Sequence, residues 1–125
     1  MNNIEEKLKE INTENFIWVI YIGIIILSYY SNYLEKNYFL YHDMNSKEKY
    51  RQIIIFIFSV LIIVYFYFLN SSLDDVQNIN PNDSKEKNNL IILSFIASLL
   101  IFISGLIFLY IAFKDENLDV ELAFN

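Results

Sequence analysis

An all-α integral membrane fold, a helical hairpin followed by a third transmembrane helix, is what this chain predicts, and three observations carry it. Phe16 to Leu34, Ile53 to Leu69 and Leu90 to Phe113 each run without one Asp, Glu, Lys, Arg or His. Each run is long enough, because a hydrocarbon core of about 30 Å and a rise of about 1.5 Å per residue ask for roughly 17 to 25 apolar residues. The apolar residues are also blocked, not interleaved. Ile53 to Leu69 reads IIIFIFSVLIIVYFYFL and is apolar all round, whereas a soluble amphipathic helix changes face every three or four residues. Arrangement decides here, since a hydrophobic fraction of 55% and a charged fraction of 19% depart only modestly from soluble averages.

The 125 residues form one three-span membrane domain, with spans at about 16–34, 53–69 and 90–113, a loop at 70–89 and an acidic tail at 114–125. The first span follows the tail MNNIEEKLKEINTEN and lacks a small-residue cleavage signature, so it reads as a retained signal anchor. Ile4, Leu8 and Ile11 give that tail a narrow apolar stripe among Glu and Lys, predicting a short surface helix. No Gly or Pro interrupts Ile24 to Tyr50, and Tyr30, Leu34, Tyr38 and Tyr41 continue a helical stripe beyond the first span. A break is expected at Met44 to Ser46, with Asn45 and Glu48 as a capping box opening the second helix.

The second helix is expected from about Ser46 to about Leu69. Its fourteen Ile, Val, Leu and Phe residues in the span favour the bilayer by roughly 4 to 8 kcal/mol. The segment NSSLDDVQNINPNDSKEKNN then reads as a loop, with Asp83 and Glu86 capping the third helix after the Asn80-Pro81 turn. Its sequons, at Asn70 and Asn82, read as accidents of an Asn-rich chain. The third span is longer than the second, roughly 36 Å against 25 Å, so it must tilt, bend or protrude. Along it Ser98, Gly105 and Ala112 recur every seven positions, with Ser94 one turn earlier, a helix-packing seam that Gly23, Ser28 and Ser59 could face. Tyr29, Tyr30, Tyr33, Tyr38 and Tyr41, with Phe16, Trp18, Tyr65 and Tyr67, suit interfacial belts.

Chemistry finds little to work with. The chain holds no cysteine, which excludes disulfides and thiolate sites. Its single histidine, His42, has no nucleophile or oxyanion site in its motif, and the spans carry neither paired Asp nor HExxH, so no enzyme is expected. Asp74, Asp75, Asn78, Asn80, Asn82 and Asp83 supply oxygens in one loop, but their spacing matches no EF-hand and the turning glycine is missing; no metal or other cofactor is expected. A net charge of −6 argues against nucleic acid and anionic lipid surfaces. The expected partners are the bilayer itself and a membrane protein or a second copy.

Lys7, Lys9, Lys85 and Lys87 fall on one side of a three-span topology, and Lys36, Lys47, Lys49, Arg51 and Lys114 on the other. Four against five favours an outside N-terminus and a cytoplasmic C-terminus in a cell membrane. The tail alternates Leu118, Val120, Leu122 and Phe124 among acids, a pattern for an extended segment docking at Lys47, Lys49 and Arg51. The functional expectation is a small bacterial accessory or regulatory membrane subunit acting through protein contacts. In size, span number and orientation the chain resembles holin-type pore-formers, although its tail KDENLDVELAFN is acidic where theirs are basic. An immunity protein against a membrane-active peptide is the third class.

Overall fold

The computed structural model describes residues 2–122. Three helices and no strand make up these residues: α1 (Asn2–Tyr41), α2 (Met44–Gln77) and α3 (Lys85–Lys114). Each is long and apolar enough to cross a membrane, so the fold is that of an all-α, three-helix membrane protein. Lengths of 40, 34 and 30 residues correspond to roughly 60, 51 and 45 Å. All three therefore outlast a hydrocarbon core of about 30 Å.

Each helix is longer than its uncharged run for one reason. Nucleating a helix is costly but extending one is not, and a polar residue other than Gly or Pro adds at most about 0.7 kcal/mol against continuation. Helix α1 thus incorporates the Ile4–Leu8–Ile11 segment without a break, and the expected separate surface helix is the first turns of α1. Likewise α2 continues through Asn70–Gln77, correcting the expected end at Leu69 and shortening the second loop to residues 78–84.

The ends are set by named residues. His42 adopts a left-handed conformation (φ 53°), and its N–H donates to the Tyr38 carbonyl at 2.8 Å, closing α1. Asp43 opens α2: its carbonyl accepts from Lys47 N at 3.2 Å, and its carboxylate accepts from Asn45 N at 3.1 Å and from Ser46 Oγ at 2.8 Å. The expected Asn45–Glu48 box is therefore displaced by two residues, because a carboxylate just outside the first turn both caps N–H groups and suits the positive helix end. At α3 the cap is Ser84, whose Oγ accepts from Lys87 N at 3.1 Å. Asp83, the expected cap, instead pairs with Lys87 Nζ at 3.1 Å. Between these helices Asn80 Oδ1 accepts from Asn82 N at 2.9 Å across Pro81, and Asn80 O accepts from Asp83 N at 3.0 Å.

The chain forms two compact units that share α2: the first runs to Ile54, the second from Ile55. In the first, Ile17, Ile24, Ser31 and Leu34 of α1 and Ser46, Tyr50 and Ile54 of α2 are buried. In the second, burial follows Ile57, Phe58, Leu61 and Val64 of α2 and Gly105 and Ala112 of α3. Most of these positions recur after three, four or seven residues, the spacing that keeps them on one face of a helix.

Candidate functional site

In the second unit a close helix approach is built around Gly105. A Cβ placed there would meet Tyr65 Cδ2 at 3.1 Å and Ile62 Cγ1 at 3.3 Å, so glycine lets α3 come against α2. Two ring pairs flank it, Phe58–Phe108 at 5.6 Å and Phe66–Phe102 at 5.8 Å between centroids. Beside it lies an open groove of about 280 Å³ lined by Phe58, Leu61, Tyr65, Ile101, Ser104 and Phe108.

The sequence's small-residue set is distributed as follows. Gly105 and Ala112 are buried, Ser98 is half-buried, and Ser94 is exposed on a shallow groove lined by Asp75, Ser84, Glu86, Lys87, Leu90 and Ile91. One and two turns before Ser98 the less exposed positions are Phe95 and Ile91, both half-buried, which displaces Ser94 from the seam. Gly23 is exposed, with nothing within 4 Å of its would-be Cβ, whereas the fully buried small residue of α1 is Ser31. Ser31 lies seven residues from Ile24 and fourteen from Ile17, a heptad signal that the crowd of neighbouring tyrosines conceals.

Three span serines bond back to carbonyls of their own helices. Ser28 Oγ donates to Ile24 O at 2.8 Å, Ser31 Oγ to Ser28 O at 2.8 Å and Ser59 Oγ to Ile55 O at 2.7 Å. Bonded in this way, a hydroxyl is tolerated in lipid but offers little to a passing solute.

At the first turn the Lys47 ammonium sits 5.2 Å from the centroid of the Tyr38 ring. The Ser46 hydroxyl, donating to Asp43, holds that carboxyl below its usual range; backbone N–H groups of Ser46 and Asn45 and the charge of Lys49 act the same way. His42 and Lys49 are exposed and Arg51 is half-buried. Tail geometry departs from the expected extended segment. The Asp115 carboxylate accepts from Asp119 N at 2.9 Å and Val120 N at 2.8 Å, and Leu118 turns left-handed at φ 55°. The alternation breaks because a carboxylate at the end of α3 organises the following N–H groups into a loop. Within it Leu122 is buried, Leu118 half-buried and Val120 exposed, while Phe124 lies outside the described residues. Among the described residues no three His, Cys, Asp or Glu side chains converge to hold a metal ion.

No protein-family model matches this chain, and comparison with curated proteins and with solved structures finds no similar chain. What the fold defines is its class, a three-helix membrane protein.

Proposed function

We propose that the protein is a small accessory or regulatory subunit of a membrane assembly, inserted in a cell membrane with its N-terminus outside, acting through protein contacts and not as an enzyme. One observation carries this reading. The three spans hold no Asp, Glu, Lys, Arg or His, and the serines Ser28, Ser31 and Ser59 bond to carbonyls of their own helix, which supports reading the spans as contact surface. Intramembrane ionisable groups mark transport and proton relay, and a chain without them has shape and apolar surface as its working material.

Expression in cells carrying a membrane-potential dye tests it, combined with affinity purification of the full chain from mild detergent. The proposal expects an unchanged potential and a membrane protein recovered in fixed stoichiometry. Rapid depolarisation would replace it with pore formation, the holin-type alternative.

A further inference from the structure

Helix α1 carries a second apolar seam on the face turned away from its buried one. Ile4, Leu8, Ile11 and Asn15 occupy it before the first span, and Trp18, Ile22, Ile25 and Tyr29 continue it into the span. The steps are four, three, four, three, four, three and four, a strict 3.5-residue repeat sustained over more than three heptads. The buried positions Ile17, Ile24 and Ser31 lie on a different line, roughly 120° around the helix at about 100° per residue. Every residue of the outer seam is exposed. Inside a bilayer lipid covers such a face, but Ile4, Leu8 and Ile11, at 66, 55 and 42% exposure, precede the uncharged run.

We propose that this seam is the interface between two copies of the chain, paired in parallel through α1. Three features commit it to an identical partner. Copies inserted with one topology present α1 in one direction, so like seams meet in register. The seam holds a single polar residue, Asn15, at an a-type position, where two facing amides bond to each other and select a parallel dimer over other assemblies. The flanks carry no like-charge clash: in a parallel pair Lys7 faces Asn12 of the second copy and Glu14 faces Val19, while Glu6, Lys9 and Glu10 point outward. The tail's acidity, Glu5, Glu6, Glu10 and Glu14 against Lys7 and Lys9, disfavours an anionic lipid surface as the occupant. This inference rests on membrane insertion but not on the accessory role.

The chain has no cysteine, so single-cysteine variants of the full-length protein read the seam directly in native membranes. With a mild oxidant, I4C, L8C, I11C and N15C should give disulfide-linked dimers at yields about five-fold or more above those of E6C, E10C and T13C, following the heptad. Asn15→Leu, which removes the register-setting amide, should convert a dimer in detergent into a mixture of oligomers, as measured by sedimentation. Absence of dimers, or yields without the 3.5-residue period, would overturn the proposal. So would protection of I4C and L8C from a water-soluble maleimide without cross-linking, which would place the stripe on lipid. A monomeric chain that still co-purifies with another membrane protein would end the dimer while leaving the accessory role intact.

Discussion

Gly105 and Gly23 show how one residue type takes opposite roles within two helices. The space at Gly105 is taken by Tyr65 and Ile62, whereas that at Gly23 is open. Gly105→Leu should therefore lower thermal stability in detergent by about 1–3 kcal/mol through overpacking. Ile107→Leu, at an exposed position, should be near neutral, and Gly23→Ala should be neutral or stabilising by up to about 1 kcal/mol. Equal tolerance at both glycines would contradict the close approach. Asp43 makes a second residue-scale case. Its carboxyl titrates below the usual range because Ser46 and two N–H groups bond the ionised form. A depressed folded-state pKa contributes stability that is present above the unfolded value and lost as pH falls through the folded one, so the loss belongs below about pH 4. Asp43→Asn should retain helix capping but lose that acid-side slope in melting temperature, and Asp43→Ala should lose both. An unchanged slope in Asp43→Asn would detach the acid response from this cap.

Helix α2 passes from the apolar run into NSSLDDVQ without ending, and Ser72 is fitted into it by donating to Phe68 O at 3.0 Å and Leu69 O at 3.1 Å. Amide hydrogen exchange in detergent should find 70–77 protected and 78–84 fast; uniform fast exchange from Asn70 onward would restore the longer loop. The difference measures what a sequence discloses about an element. The three spans are legible because an uncharged run of 17 or more apolar residues has few other solutions. Their ends are not, because Asn, Ser and Asp mark a loop in one context and extend an existing helix in another. Caps shift for the same reason: Asp43 and Asn45, or Asp83 and Ser84, are neighbours with equivalent capping chemistry, and backbone geometry chooses between them. Gly105 is legible as a rare small residue at heptad spacing, while its tyrosine surroundings mask Ser31. Ser94 shares the small-residue spacing yet is exposed, whereas Ile91 and Phe95 are half-buried, a difference that residue size alone does not disclose.

At the scale of the whole molecule, three membrane-crossing helices place the two ends of the chain on opposite sides, whichever way it inserts. Direction then depends on a narrow margin of basic residues, four on the side of the N-terminus and five on the other. Three of those five, Lys47, Lys49 and Arg51, lie within the first turns of α2, next to a span edge, where positive charge weighs most in orientation. Replacing all three with Gln leaves two basic residues against four, which reverses the sign of the bias. The triple variant should therefore insert in mixed or inverted orientation, whereas the parent chain should place its C-terminus inside. Compartment-sensitive reporters fused at Asn2 and at Asn125 read both predictions together. Parent fusions reporting the same compartment would refute the three-span fold itself, and a triple variant that stays in the parent orientation would refute the charge argument while leaving the fold untouched.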